Sequence, residues 1–267
     1  MDTHELKLPE RIRVLIGDAP CSLDEVGRSD STVIMLDDKV LKIEKASEKT
    51  DDAEQMLAWM AKKKLPVPGI LCCTIRDGMH YLLMERIQGH MVCDEKQMEN
   101  REEVHALLVK GLRMLWETDA SVCPVKRMLA DDLRYVRERV EKGMIPQEAF
   151  YAEAFDKEDF ETPEQLLQWL ESHQPSFEPV LSHGDYCLPN VMIENGDIAG
   201  FIDLGSAALA DRYSDIADCY QSLKNNYNGF FGGKVYPDYS PEDFLKALDI
   251  AIDREKLRYY LLLHCLM

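Results

Sequence analysis

The sequence has no long apolar stretch, no leader-like start and no surplus of positive charge. No run of about 18 apolar residues occurs, which excludes a membrane-spanning helix. The N-terminal stretch MDTHELKLPERIRVL lacks the basic start and apolar core of a signal peptide, so we expect a cytoplasmic chain. Asp and Glu outnumber Lys and Arg by 49 to 31, a net charge of −18. Such a chain repels nucleic acid and anionic membranes, and we expect neither as a partner.

The cysteines lack the spacing of a metal site or of a redox motif. None of the 8 cysteines forms a C-x-x-C pair, and none has a histidine at zinc-ligand spacing. In a reducing compartment such thiols stay free. The sequence therefore predicts reduced cysteines and no structural zinc.

Short strand-like segments separated by turns dominate the first third of the chain, with one helix among them. The expected helix, 47–64, has apolar residues at helical spacing and is stopped by Pro66 and Pro68. The expected strands, some joined by tight turns, are 21–26, 32–36, 40–43, 70–75 and 81–85. This pattern predicts an antiparallel sheet plus one helix.

Helical periodicity dominates the rest of the chain, where one short β-rich stretch interrupts it. The expected helices are 99–117, 125–142, 162–172, 240–249 and 254–267, and the expected strands are 180–181, 191–193 and 199–202. An Asn-Gly-Asp turn at 195–197 closes a hairpin between the last two strands. The fold class predicted is α+β, with a small β-sheet N-lobe over 1–87 and a mainly helical C-lobe over 88–267.

Polar residues cluster around that hairpin in the order that phosphoryl transfer uses. Asp185 precedes it, Asn190 follows five residues later and Asp203 comes after the second strand. A carboxylate and an amide oxygen at the two ends of one hairpin suit Mg²⁺, which completes its shell with water and phosphates. Asp185 would then face the hydroxyl that attacks the terminal phosphate.

Phosphoryl transfer also needs positive groups on the nucleotide. Lys42 on the strand VLKIE is the candidate for the phosphates, and Glu54 on the following helix is its expected ion-pair partner. No G-x-G-x-x-G occurs, and the polar segment 27–31, with Ser29, bridges two strands in its place.

Three segments together resemble a known family. They are HGDYCLPN at 183–190, GFIDLG at 200–205 and ADRYSDIA at 210–217. The sequence is similar to the aminoglycoside phosphotransferases and, within them, to the 3′-phosphotransferases, or kanamycin kinases. The resemblance covers nearly the whole chain. It implies a protein-kinase-like fold, ATP or GTP with Mg²⁺ as cofactors, a cationic aminoglycoside as substrate, antibiotic resistance as the outcome, and a monomer or weak dimer.

The resemblance also assigns roles to residues. It makes Asp185 the catalytic base, Asn190 and Asp203 the ligands of two Mg²⁺ ions, and Lys42, paired with Glu54, the contact to the α- and β-phosphates. It further implies a β-phosphate contact from Ser29, nucleobase contacts from the backbone of Arg86 and Ile87 in the hinge, and support of the catalytic loop by Asp215 and His183.

The chain departs from the family pattern at three places. Ser206 follows the D-L-G where the family usually has Arg, and Asp30 stands where a small or neutral residue is usual. The C-terminus has His264, Cys265 and Met267 where the family typically has acidic residues and an aromatic that bind the drug's amines. These differences leave open another hydroxyl acceptor, such as a macrolide, an amino sugar or a choline-like metabolite, and a catalytically silent nucleotide-binding module.

Amine recognition is expected from an acidic segment, since clustered carboxylates attract a polycation. Residues 148–171 contain eight acids and one base, Lys157. In the family this region covers the substrate. The candidate contacts are Asp156, Glu158, Asp159, Glu161 and the terminal carboxylate of Met267.

Overall fold

The chain is described by a computed structural model over residues 8–23, 31–145 and 160–267. Its contacts group into two compact units, the first made of Met1–Met91 with Asn190–Ser206 and the second of Val92–Pro189 with Ala207–Met267. The sequence predicts a single break after residue 87 and keeps the hairpin with the helical part. In the structure the hairpin groups with the first unit, and its first strand, Val191–Glu194, pairs with a strand at His90–Met91.

The first unit contains a five-stranded sheet. Its strands are β1 (Ser22–Leu23), β2 (Thr32–Met35), β3 (Lys39–Lys45), β4 (Ile70–Arg76) and β5 (Met79–Glu85). Their order is β1-β2-β3-β5-β4, and every neighbouring pair is antiparallel. The β2–β3 hairpin turns at Asp37 and Asp38, as the sequence predicts.

The two faces of this sheet differ in chemistry. Ile34, Leu41 and Leu83 share one face by register, and they form a buried core with Ile12 and Ile16 of helix α1 (Glu10–Ile16). Side chains alternate along each strand, so their neighbours in sequence point to the other face. That opposite face carries the polar groups of the predicted site.

Helix α2 (Glu48–Lys62) follows β3, close to the predicted bounds. At its start Thr50 Oγ1 accepts a hydrogen bond from the N–H of Ser47 at 3.0 Å, which satisfies a backbone donor. The two prolines after Leu65 keep the chain from continuing as a helix. Met56, Leu57 and Met60 form the buried side of the helix.

The hairpin of the first unit belongs to a three-stranded sheet. It consists of β8 (Val191–Glu194) and β9 (Asp197–Phe201), and β8 also pairs with β6 (His90–Met91). Phe201 donates its N–H to the carbonyl of Pro66 at 2.8 Å. The hairpin is thereby tied to the segment between α2 and β4.

The second unit is mainly helical. Its helices are α3 (Glu95–Met98), α4 (Arg101–Trp116), α5 (Leu129–Glu141), α6 (Pro163–Ser172), α7 (Arg212–Tyr227), α8 (Glu242–Ala247) and α9 (Arg254–His264). Strands β7 (Pro179–Ser182) and β10 (Ala208–Asp211) form a two-stranded antiparallel sheet. The sheet-rich unit and the helical unit confirm the predicted α+β class. No helix within the described ranges combines the length and apolar character needed to cross a bilayer.

Candidate active site

A buried aspartate braces the loop that follows β7. Asp215 on α7 is fully buried. Its carboxylate accepts hydrogen bonds from Ser182 Oγ at 2.8 Å and from the backbone N–H groups of His183 and Gly184, each at 3.0 Å. His183 is itself fully buried. These contacts fix the backbone just before Asp185, which is the position expected for a loop-supporting residue.

Asp185 is half-buried at the end of this loop. Its carbonyl accepts a hydrogen bond from the N–H of Cys187 at 2.8 Å, and its side chain is hydrogen-bonded to the Cys187 thiol. Burial raises the pKa of Cys187 well above its usual range, and the charges of Asp218 and Asp185 add to the effect. The Cys187 thiol therefore stays protonated and acts as a donor to Asp185. Burial, with the charge of Asp218, also raises the pKa of Asp215 to about 7, against the hydrogen bonds that lower it.

Asn190 and Asp203 lie at the two open ends of the β8–β9 hairpin. Asn190 ends a 3₁₀ turn directly before β8, and its carbonyl accepts a hydrogen bond from the N–H of Ile202 at 3.0 Å. Asp203 has a φ of 58°, a left-handed conformation in which Asp is enriched among non-glycine residues. Its side chain is 52% exposed. One hairpin thus presents the two oxygen ligand types that Mg²⁺ prefers.

Lys42 on β3 lies beside that carboxylate. Its Nζ is 3.4 Å from Asp203 Oδ1 and 3.7 Å from Glu44 Oε2. Glu44 belongs to no motif and was not predicted as a site residue. Its position two residues after Lys42 on one strand places it on the same face, and that spacing is the signal that could have found it. A single ammonium group therefore joins the sheet to the end of the hairpin.

Glu54 is engaged elsewhere, which differs from the sequence expectation. Its Oε2 lies 2.8 Å from Cys73 Sγ and 3.7 Å from His80 Nε2. Burial and the hydrogen bond to Glu54 raise the pKa of Cys73 to about 12, so the thiol donates to the carboxylate. Among the residues that the structure describes, no Lys42–Glu54 ion pair is formed, because each group already has oppositely charged or hydrogen-bonding neighbours.

In the hinge after β5, one backbone group predicted to contact the nucleobase is hydrogen-bonded within the protein. The N–H of Arg86 donates to the carbonyl of Asp38 at 3.0 Å, and its guanidinium donates to the carbonyl of Leu36 at 2.9 Å. Within the described ranges the N–H of Ile87 has no hydrogen-bond partner. The Arg86 carbonyl accepts a hydrogen bond of 3.5 Å from Gln88 Nε2. Because a carbonyl oxygen has two lone pairs, this carbonyl and the Ile87 N–H are the hinge groups that can contact a base.

Few of the expected acceptor contacts can be located. Glu161 is exposed just before α6, and its N–H donates to Gln165 Oε1 at 2.8 Å. Met267 lies at the chain end, where its sulfur accepts a contact from Arg127 Nη2 at 3.7 Å. The other predicted phosphate and amine contacts lie outside the described residues: Ser29, Asp156, Glu158 and Asp159.

Basic side chains lie near the C-terminal end of α9, where the resemblance to the family implies acidic residues. His264 Nδ1 lies 2.9 Å from Asp218 Oδ1. Burial alone would lower the pKa of His264, but the charge and hydrogen bond of Asp218, helped by Asp132, outweigh it and raise that pKa. Arg127 forms an ion pair with Asp132. This end of the second unit therefore holds an arginine–carboxylate ion pair and a histidine–carboxylate contact.

The second unit also contains a cavity that is separate from these residues. It has a volume of about 990 Å³. Residues of α4, such as His105, line it together with residues at or just before α8, such as Tyr239. None of the predicted site residues lines it. Its size alone therefore does not mark it as the place of the chemistry.

Comparisons with known proteins agree with the resemblance seen in the sequence. The model of the phosphotransferase enzyme family matches residues 21–248. An aminoglycoside 3′-phosphotransferase of Niallia circulans is 37% identical over 209 residues, which cover 78% of this chain and 74% of that protein. An aminoglycoside 3′-phosphotransferase of Enterococcus faecalis is 29% identical over 269 residues, covering 97% of this chain and 98% of that protein.

Solved structures of such enzymes share the fold. The crystal structure of an aminoglycoside-3′-phosphotransferase of type VIII is 25% identical with a TM-score of 0.76, covering 96% of this chain and 97% of that one. An aminoglycoside phosphotransferase of Streptomyces rimosus, 24% identical, also has a TM-score of 0.76 and covers 96% and 95%. The predicted protein-kinase-like fold is confirmed. The chain belongs to the phosphotransferase enzyme family, among its aminoglycoside phosphotransferases.

Proposed function

We propose that the chain transfers the γ-phosphoryl group of ATP to the 3′-hydroxyl of an aminoglycoside, an activity that would confer resistance to the drug. The observation that carries this proposal is the Lys42 ammonium 3.4 Å from the Asp203 carboxylate, just after the hairpin that Asn190 precedes. Phosphoryl transfer requires a cation that binds the phosphates and oxygen ligands that bind the metal close to it. The acceptor class comes from the names of the relatives in Niallia circulans and Enterococcus faecalis.

Asn190 and Asp203 are the residues that would hold Mg²⁺. Both supply hard oxygen donors, and the exposed carboxylate of Asp203 is open to solvent. When bound, Mg²⁺ neutralises charge on the β- and γ-phosphates. Lys42, placed between two carboxylates in the structure, contributes the positive charge for the α- and β-phosphates. Glu44 would then balance Lys42 in the place that the sequence assigns to Glu54.

Asp185 is proposed to orient the attacking hydroxyl and to accept its proton. The loop before it is fixed by the buried carboxylate of Asp215, so the position of Asp185 is set before the substrate arrives. Such positioning supplies much of the rate enhancement in phosphoryl transfer, where the transition state is loose. The Cys187 thiol keeps the carboxylate oriented by donating to it.

The remaining contacts are proposed for the base and for the drug. The Arg86 carbonyl and the Ile87 N–H would bind the nucleobase, and Ser29 the β-phosphate. Glu161, Met267 and the acids at 156, 158 and 159 would bind the amines. A net charge of −18 favours the approach of a polycationic acceptor.

The direct test is phosphorylation of kanamycin by the purified chain with ATP and Mg²⁺, followed by ADP release and by the mass of the product. We expect kanamycin to gain one phosphoryl group. In Asp185→Asn, kcat should fall about 10²-fold or more, the general scale for a positioned base, while ATP affinity changes little.

Asp238→Asn is the matched control. Asp238 is exposed and has a φ of 62°, a conformation in which Asn is also enriched among non-glycine residues, so this variant should keep full activity. Turnover of Asp185→Asn at the unmodified rate would show that Asp185 has another role.

A further inference from the structure

Three side chains with different donor atoms meet in the first unit, apart from the hairpin. They are Glu54 on α2, Cys73 on β4 and His80 on β5. Cys73 Sγ lies 2.8 Å from Glu54 Oε2 and 3.1 Å from His80 Nε2, and the last two atoms are 3.7 Å apart. All three donor atoms lie within 4.8 Å of one another.

The strand register explains why the group forms. His80 is paired with Ile75 across the β4–β5 hairpin, and Cys73 precedes Ile75 by two residues, so Cys73 and His80 are diagonal neighbours on one face. Cys72 points to the opposite face and belongs to the apolar core. Helix α2 brings Glu54 over the polar face. Spacing along the chain does not reveal this group because its members come from three elements.

We propose that Glu54, Cys73 and His80 form a binding site for Zn²⁺. A thiolate, an imidazole nitrogen and a carboxylate oxygen are the three donor types found around this ion, with a solvent molecule as the fourth ligand. Tetrahedral zinc with the usual bond lengths separates such donors by about 3.3–3.6 Å. The observed separations of 2.8, 3.1 and 3.7 Å therefore need shifts of less than about 1 Å. On binding, the metal takes the place of the thiol proton of Cys73, which is released to solvent.

The surroundings of His80 limit the affinity. His80 is 1% exposed, and within the described residues its Nδ1 has no hydrogen-bond partner. A metal-bound histidine normally donates its second ring N–H to an acceptor, and loss of that acceptor weakens binding about 10- to 100-fold. With three protein ligands and no such acceptor, we expect a dissociation constant of about 1 µM rather than that of a zinc finger.

Occupancy of the site ties a helix to two strands. The ion would bridge α2, β4 and β5, so it should stabilise the folded chain by mass action. At free Zn²⁺ about a hundred times its dissociation constant, the Tm should rise by roughly 5–10 °C. This effect needs neither nucleotide nor acceptor.

The test uses the full chain with Zn²⁺ in calorimetric titration and with Co²⁺ as a spectroscopic probe. We expect one ion per chain and a near-ultraviolet absorption band from a thiolate bound to cobalt. Cys73→Ala should lose the band, the zinc binding and the Tm shift. Glu54→Gln, a half-exposed helix position, should keep the band but bind at least 10-fold more weakly.

Cys72→Ala is the matched control, because it removes the adjacent thiol on the other face and should bind Zn²⁺ like the unmodified chain. A band that persists in Cys73→Ala, or no cobalt band in the unmodified chain, would overturn the proposal. Since none of these readouts depends on phosphotransfer, a failed kinase assay and a failed metal site are separate results.

Discussion

At the scale of single residues, Lys42 is the cation that we propose for the nucleotide phosphates. Its ammonium group lies between Asp203 and Glu44, at 3.4 and 3.7 Å. These two carboxylates therefore orient the ammonium group without a bound nucleotide. We expect a nucleotide phosphate to take the place of one of them.

Replacing Lys42 by methionine should therefore impair nucleotide use while the fold persists. We expect Lys42→Met to lower kcat/KM for ATP by about 10²–10³-fold, the range seen when one positioned donor to a reacting group is removed. The measurement is steady-state kinetics with varied ATP. Lys45→Met, at the exposed end of the same strand, should behave like the unmodified chain. Equal kcat/KM values in the two variants would remove Lys42 from the phosphate site.

Candidate residues that form linear motifs can be predicted from the sequence, whereas contacts that depend on pairing between elements cannot. Asp185, Asn190 and Asp203 stand out because polar residues interrupt apolar strands at fixed spacing. The partner of Lys42 depends on where α2 rests on the sheet, and no local pattern encodes that. Glu54 therefore faces Cys73 in the structure, while Lys42 lies beside Asp203 and Glu44.

At the scale of elements, the β8–β9 hairpin requires a close backbone approach at Gly200. A Cβ at this position would lie 2.9 Å from the carbonyl oxygen of Pro66 and 3.1 Å from side-chain atoms of Ile87. Backbone cannot give way as a flexible side chain can. The hydrogen bond from Phe201 to Pro66 depends on the same approach.

Gly200→Ala should accordingly destabilise the protein. We expect a loss of about 1–3 kcal/mol, the usual cost of overpacking, and a Tm lower by about 3–10 °C. Thermal unfolding followed by circular dichroism measures it. Gly233→Ala is the control, because no atom lies within 4 Å of a Cβ built there. Equal melting temperatures for the two variants would contradict this description of the hairpin.

The end of α9 carries a pH-dependent contact. Asp218 raises the pKa of His264, so the histidine binds its proton more tightly in the folded chain than in the unfolded one. Such a group stabilises the fold fully below its unfolded pKa, about 6.5, and the contribution is lost as pH rises through the higher folded pKa.

His264→Gln should therefore lower the Tm most at acidic pH. We expect the Tm difference from the unmodified chain to be largest below pH of about 6 and to shrink as the pH rises above the folded pKa. Thermal unfolding over a series of buffers gives the profile, with His90→Gln, at an exposed strand position, as control. A difference that grows with pH would mean that His264 is not held as an imidazolium by Asp218.

The long helices with an uninterrupted apolar side were predicted, and helix α7, whose buried side mixes apolar and polar residues, was not. Helix α2 and the helices from α4 to α6 match their expected ranges within a few residues. Helix α7 was not expected, although Tyr213, Ile216 and Leu223 lie on its buried side at helical spacing. Buried Asp215 and Ser222 are interspersed among these apolar residues. Both accept hydrogen bonds from backbone N–H groups of the loop around Asp185, so the residues that weaken the apolar pattern are the ones that hold the loop.

At the scale of the whole molecule, the order of elements largely determined the fold prediction. Strands precede helices along the chain, which is the pattern of an α+β protein. The break between units was less predictable, since residues 190–206 return to the first unit after nearly a hundred residues of the second. Strand pairing with β6 and the hydrogen bond from Phe201 to Pro66 make that return visible, and neither can be seen in the sequence.

Net charge supports a cationic acceptor but does not identify it. A charge of −18 attracts any polycation, and His264 stands where the resemblance to the family implies an acidic residue. The position of the accepted hydroxyl is therefore the part of the proposed function that a measurement should test first.

The most direct measurement compares kanamycin with tobramycin, which lacks the 3′-hydroxyl, under identical concentrations of ATP and Mg²⁺. Transfer to the 3′-hydroxyl predicts phosphorylated kanamycin and no phosphorylated tobramycin, by mass spectrometry and by ADP release. Phosphorylation of both drugs at similar rates would contradict the 3′-position. Phosphorylation of neither, with ATP bound, would contradict an aminoglycoside acceptor.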